Sequence, residues 1–271
     1  TAAVPTIWLM LFEYLEQSGK KLETLKSCVV GGSACPRFMM EKFYEKYGVE
    51  VLHCWGMTET SPIGTINRPL PKHKGQNFAE RLDIAVKQGR PVYGVEIKIA
   101  DENGITLPNN GKDFGNLWIR GPWICSGYLN IEGSDTHGED DWFLTGDVAT
   151  IDSDGFMQIT DRTKDVIKSG GEWISSIEIE NFAVGHPSVK EAGVIGIFHP
   201  KWDERPLLIL VKNENTEVTK EEILEFLKDK IASWWMPDDV VFVDSLPHTA
   251  TGKIQKLVLR EQFKDYKLEV E

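Results

Sequence analysis

The sequence predicts an α/β and α+β protein, on three observations. Over roughly residues 1–90, helical periodicity alternates with short apolar strands. From about 91, apolar and polar residues alternate with period two between Asn-Gly and Asp-Gly turns, the pattern of antiparallel hairpins. Beyond about 175, helices and strands mix again in a smaller α+β unit.

Each element has a local reason. Residues 6–17 repeat apolar side chains at helical spacing, and LKSCVV reads as a strand ending in the Gly31-Gly32-Ser33 turn. Pro36 opens a helix through RFMMEKFYEKYG that Gly48 closes, and VEVLHC is a further strand broken at Trp55-Gly56. In open α/β sheets, such strand-to-loop junctions are where ligands bind, so GGSACP and CWGMTET become candidate site loops. VYGVEIKIADENG, GNLWIRGPWI and VATIDSDGFMQITD form the hairpin region, turning at Asn103-Gly104 and Asp154-Gly155. A helix near 176–185, strands VKEAGVIGIF and LLILVK, a helix over 219–231, a strand VVFVD and a closing helix complete the chain. Thr219 and Glu222 form a capping-box pattern at the start of the 219–231 helix. The predicted domains are 1–162, divided into an α/β portion 1–90 and a β-rich subdomain 91–162, and 163–271.

Composition excludes several functions. The net charge is −12, with 16 basic against 22 acidic residues up to Arg162 and 14 against 20 beyond it. No basic stripe is present for nucleic acid, and attraction for an anionic ligand must be local. Cys28, Cys35, Cys54 and Cys125 have neither zinc-finger nor C-x-x-C spacing and read as free thiols. No apolar run nears the ~18 residues that span a bilayer, and the first segment reads as an amphipathic helix rather than a leader. A cytoplasmic location follows as the expectation.

Three segments place charge on or beside glycine-bearing loops. In CWGMTET, Gly56 permits a tight turn, and Thr58 and Glu59 offer a hydroxyl and a carboxylate suited to phosphate and Mg²⁺; the same pair also suits a helix start. In WFLTGDVATIDSDGF, Asp147 can grip a ribose diol or simply occupy a turn. In LPHTATGKIQK, Lys253 follows Thr249, Thr251 and Gly252, where it can meet developing negative charge or remain a solvated lysine.

In order, GGSACP, WGMTET, LTGDVATIDSDGF, DRTKDVIKSGGEWISSIEIEN and PHTATGK resemble the consecutive core motifs of the adenylate-forming superfamily. That group contains acyl-CoA synthetases, peptide-synthetase adenylation domains and luciferase. SGGEWISSIEIEN and HPKWDERPLLILV are similar to the medium- and long-chain fatty acyl-CoA synthetase branch. The resemblance implies the C-terminal part of a large α/β domain followed by a small mobile α+β lid. It implies ATP-dependent activation of a carboxylic acid as an acyl-adenylate, then transfer to coenzyme A with release of AMP. Gly31, Gly32 and Ser33 would lie beside the adenine and acyl group, Trp55 would stack on adenine, and Met57 and Ile159 would border the nucleotide. Thr58 would contact phosphate, Glu59 would hold Mg²⁺, Asp147 would bind the ribose with help from Arg162, and Lys253 would assist adenylation. Lys164 would be the hinge, and Gly170 and Gly171 would line the thiol's path in the second half-reaction. Lys168 either faces the site in that state or is a surface lysine, because strand residues alternate between faces.

Acetate-specific relatives carry a bulky tryptophan at the position of Gly56, so glycine there implies room for a longer or wider acid, or serves the turn alone. The upstream loop that wraps the β- and γ-phosphates in this superfamily has no counterpart before residue 25, so the chain is expected to be a C-terminal fragment that turns over poorly by itself. Apolar surface left exposed would favour self-association. A fatty acid is the expected substrate; the alternatives are an aryl or short thioether acid such as methylthiopropionate, or an inactive nucleotide-binding module. An adenylation domain of a peptide synthetase fits less well, since no carrier-domain serine motif follows.

Overall fold

The structure, a computed structural model, describes residues 1–130, 136–249 and 252–268. It divides into two compact units, Thr1–Ile159 and Thr160–Glu271.

The first unit begins with β1 (Ala2–Ala3), α1 (Pro5–Ser18), β2 (Ser27–Val30), α2 (Arg37–Tyr47) and β3 (Glu50–Trp55). Pro5 starts α1, where its missing N–H costs no hydrogen bond, and Gly19 ends it in the left-handed conformation at φ 68°. Gly48 ends α2 in the same way at φ 63°. β4 (Thr65–Ile66), α3 (Phe78–Ala85) and β5 (Arg90–Pro91) follow. The capping box between Asn77 and Glu80 that starts α3 lies in a stretch the sequence patterns did not mark as helical. The sheet runs β1-β2-β3-β4-β5, with β1, β2 and β3 parallel and β4 and β5 added antiparallel. Trp8 and Phe12 of α1 pack with Met39, Met40 and Phe43 of α2 over Cys28 and Val30 of β2. The Phe12 and Phe43 rings sit 4.6 Å apart. Burying such side chains contributes about 1.5–3 kcal/mol each, which fixes these helices on the sheet.

β6 (Glu96–Ala100), β7 (Gly115–Arg120), β8 (Phe143–Ile151) and β9 (Met157–Arg162) form a second sheet in that order. The expected alternation is visible in β7, where Gly115, Leu117 and Ile119 are buried and the residues between them are not. The boundary between the two units falls within β9.

The second unit contains β10 (Ile167–Ser169), β11 (Glu172–Ile174), α4 (Ser176–Ala183), β12 (Val189–His199), β13 (Asp203–Lys212), α5 (Lys220–Leu227), β14 (Asp239–Phe242) and α6 (Lys256–Gln262). Its sheet is ordered β11-β10-β13-β12, with β14 parallel to β13. Leu259 of α6 packs on Ile195, Ile197, Leu207 and Ile209. Val194, Leu208 and Leu210 alternate to the opposite face and are equally buried. The Thr219–Glu222 capping box forms as expected, but α5 stops at Leu227 rather than 231. The chain leaves the helix at Lys228, and Asp229 adopts φ 66°.

Candidate nucleotide-binding site

β2 and β3 are parallel neighbours, with Val30 opposite His53, so the loops after them leave the same sheet edge side by side. Gly31 follows directly, and a β-carbon there would lie 2.6 Å from Cys54 Sγ. Gly32 adopts φ 85°, and a side chain would meet Val4 at 2.9 Å. The glycine pair is thus required by close packing, and with Ser33 it keeps the loop thin at the sheet edge. His53 anchors this loop from below: it is 1% exposed and its Nε2 accepts the Cys35 N–H at 3.3 Å. Nδ1 therefore carries the proton and donates to the Val86 carbonyl at 3.0 Å. Burial pulls the imidazole down to about pKa 4, so it is neutral at pH 7.

The loop after β3 is folded back on itself. The Thr60 hydroxyl accepts the Met57 N–H at 2.9 Å and lies 2.8 Å from the Pro62 carbonyl oxygen. A β-carbon on Gly56 would fall 1.7 Å from that same Pro62 oxygen. The turn alone therefore demands glycine, and of the two readings of Gly56 the backbone one has a direct physical cause. Met57 packs beside Val95, Ile119 and Phe143. Thr58 is exposed at the tip, and Glu59 beside it accepts the Tyr128 hydroxyl proton at 2.9 Å. Glu59 is also held through its backbone, whose carbonyl takes the Cys125 N–H at 2.9 Å. Burial and the Glu59 carboxylate raise the Tyr128 phenol to about pKa 12, so it remains a donor.

Trp55 and Asp147 meet directly: the indole Nε1–H donates to Asp147 Oδ2 at 2.8 Å. A β-carbon on Gly64 would lie 2.4 Å from the Trp55 ring, so this glycine lets the indole lie flat over the backbone. Asp147 is buried, and its N–H is held by Thr145 Oγ1 at 3.1 Å. Ile159 joins the cluster under Trp55, its N–H held by Gln88 Oε1 at 2.6 Å. Tyr128, Thr60 and His53 were missed in the sequence. SGYLN carried no charge and no spacing to flag Tyr128, whereas Thr60 stood within the quoted TET and went unread.

Among the described residues, no group of three or more His, Cys, Asp or Glu side chains could hold a metal unaided. One carboxylate plus phosphate oxygens and water is nevertheless a common Mg²⁺ set, and Glu59 beside the exposed Thr58 fits it.

The second unit carries the other candidates. Arg162 ends β9, and its carbonyl accepts the N–H groups of Asp165 and Val166 at 2.8 and 2.9 Å, closing the turn on which Lys164 is exposed. Lys168 in β10 is exposed, with its Nζ 5.9 Å from the centroid of the cross-strand Trp173 ring. Gly170 and Gly171, at φ 59° and 87°, are the two central residues of the β10–β11 hairpin, a turn of the I′ kind. A side chain on Gly170 would strike the Trp202 ring at 2.8 Å, whereas one on Gly171 would meet nothing. Lys253 is exposed on a loop closed by Thr249 N–H to Lys253 O at 2.8 Å and Lys253 N–H to Thr249 Oγ1 at 3.1 Å. Thr251 lies outside the described residues.

Residues 1–129 match the AMP-binding enzyme family and residues 178–253 match the AMP-binding enzyme C-terminal domain. The 3-methylmercaptopropionyl-CoA ligase of Ruegeria lacuscaerulensis is 53% identical over 97% of this chain and 48% of its own length. The medium-chain-fatty-acid–CoA ligase of Ectopseudomonas oleovorans is 51% identical over the same shares. The o-succinylbenzoate CoA synthetase of Bacillus subtilis, solved with its acyl-adenylate intermediate, superposes with a TM-score of 0.80 at 30% identity, over 100% of this chain and 51% of that one. The chain spans about half the length of the curated relatives it matches. It belongs to the adenylate-forming family of AMP-binding enzymes, and the relatives named above are acyl-CoA ligases or synthetases.

Proposed function

We propose that the chain is the nucleotide-gripping and lid-bearing part of an AMP-forming acid–thiol ligase that activates a linear apolar carboxylic acid and passes it to coenzyme A. The observation that carries this reading is the Trp55–Asp147 hydrogen bond at the sheet edge that also presents Thr58 and Glu59. It puts an aromatic surface for a base and a carboxylate for a sugar diol side by side.

In the first half-reaction a carboxylate oxygen of the acid attacks the α-phosphorus of ATP. The bond to the β-phosphate oxygen breaks, leaving pyrophosphate and an acyl-adenylate. Trp55 stacks on adenine, Asp147 takes the ribose hydroxyls with Arg162 assisting, and Thr58 donates to phosphate. Gly31, Gly32, Ser33, Met57 and Ile159 border the nucleotide and acyl group. Glu59, its carboxylate fixed by the Tyr128 hydroxyl, would hold Mg²⁺, which when bound would offset phosphate charge. Lys253 supplies positive charge to the crowded phosphate oxygens. In the second half-reaction the thiolate of coenzyme A attacks the acyl carbonyl and AMP departs. Lys164 is the pivot between the two states, and the Gly170–Gly171 turn and Lys168 lie on the thiol's side.

The substrate class is a medium-chain fatty acid or a short thioether acid. The thioether and fatty-acid ligases stand at 53% and 51% identity, and both acids are unbranched and apolar. A ligation panel on the intact enzyme, spanning straight-chain, methylthio and aryl acids, tests this: preference for aryl acids overturns it. Lys253→Ala should lower ATP–pyrophosphate exchange about 10²- to 10³-fold and spare thioester formation from supplied acyl-adenylate. Equal loss in both half-reactions refutes the role of Lys253.

A further inference from the structure

A buried charge network in the second unit takes no part in the mechanism above. Asp161 and Asp165 bracket the turn that carries Lys164, and Lys256 and Arg260 stand four residues apart on α6, hence on one face of it. The two pairs are matched. Arg260 Nη1 lies 2.8 Å from Asp165 Oδ1. Lys256 reaches Asp161 through one hydroxyl: its Nζ donates to Ser176 Oγ, which in turn donates to Asp161 Oδ2 at 2.5 Å. The Ser176 N–H donates to the same carboxylate oxygen at 2.7 Å. Lys256 also pairs with Glu180 at 2.8 Å, and Glu180 Oε1 accepts the Val194 N–H of β12 at 2.8 Å.

Lys256 and Glu180 are 10% and 15% exposed. Burial pushes the Glu180 carboxyl up, and it works to lower the Lys256 ammonium, but the Glu180 and Asp161 carboxylates outweigh it and keep Lys256 charged. Buried ion pairs are weak sources of stability compared with apolar packing of the same volume, but their geometry is specific. What this one specifies is the register between the hinge turn and the start of α6, three residues beyond Lys253.

We propose that Lys256 is a positioning residue for adenylation, which with Arg260 holds α6 against residues 161–165 in the arrangement seen here and so fixes where the Lys253 loop stands, the link to Asp161 being released when the pivot at Lys164 turns. This rests on the ligase reading and on Lys164 as the pivot. Without the lock, the pivot still turns but Lys253 arrives with a spread of positions. A displacement of ~1 Å can cost about a hundredfold in rate.

The test is made in the intact enzyme with the double variant Lys256→Met/Glu180→Leu, which removes both charges of that pair, while Asp161 keeps the Ser176 N–H and hydroxyl. The expected result is a folded protein whose ATP–pyrophosphate exchange falls about tenfold or more, while thioester formation from supplied acyl-adenylate changes by less than about threefold. Ser176→Ala removes only the hydroxyl relay; it should lower pyrophosphate exchange by a smaller factor and again spare thioester formation, and it decides the matter if the double variant does not fold. Equal loss in both half-reactions, or unchanged exchange in a folded variant, overturns the proposal. Absence of exchange in the wild-type enzyme overturns the ligase reading itself, and this inference with it.

Discussion

His53 is 1% exposed, with one ring nitrogen accepting from Cys35 and the other donating to Val86, so protonating it would break the Cys35 bond. Its folded value of about 4 lies below the ordinary 6.5, so between those values the unfolded chain binds the extra proton. The stability this gives is fully present above pH 6.5 and is lost as the pH falls towards 4. Urea unfolding should show about 2 kcal/mol less stability at pH 5 than at pH 7 from this group, a difference absent in His53→Gln. A slope unchanged in the variant would assign the acid sensitivity elsewhere. The site's single residues were partly legible: Gly31, Trp55, Glu59 and Lys253 stood out as residue types at loop positions. Their partners were not, because Tyr128 lies 69 residues from Glu59 and Asp147 lies 92 from Trp55. A hydrogen bond between such distant positions leaves no periodic trace in a single chain.

The β10–β11 hairpin shows the same division at the level of an element. The Gly-Gly pair announces a two-residue turn, and both positive φ values confirm the backbone need. Whether that turn also clears a path for a thiol is a separate question that one substitution can answer. Gly171→Ala meets no neighbouring atom, so it should cost only the backbone strain, about 1 kcal/mol by thermal or urea unfolding. If the turn borders the thiol's route, the variant should also slow thioester formation more than pyrophosphate exchange. A stability loss with both half-reactions intact would leave the glycine a turn residue alone. The main helices and long strands were readable because their periodicities persist over several residues, as in β12 and β13. The early end of α5 was not, because the left-handed Asp229 breaks a pattern that still looks amphipathic on paper. α3 was missed although its Asn77–Glu80 capping box stands in the sequence, three residues apart as in the Thr219–Glu222 pair.

Across the whole molecule, the two units each bury a core of their own. Among the described residues no helix is long and apolar enough to cross a membrane. Ile7, Met10 and Tyr14 follow one another at helical spacing on α1, exposed by 51%, 64% and 50%. A stripe of that kind favours association, so sedimentation of the 271-residue chain should show a mass that rises with concentration. Met10→Lys should restore the monomer. A single species of constant mass throughout would show that the stripe is inert.

The 1.7 Å that a β-carbon at position 56 would leave to Pro62 O has a consequence for redesign of acid preference. On the proposed ligase reading, position 56 is a natural place to try shortening the acyl pocket with a larger side chain. In this scaffold such a change first evicts the carbonyl of Pro62 and with it the bond Thr60 makes there, next to Glu59. On that same reading, selectivity altered at that point would come tied to disturbance of the loop that carries Thr58 and Glu59. Libraries aimed at new acids should therefore hold Gly56 constant or vary residues 61–63 along with it.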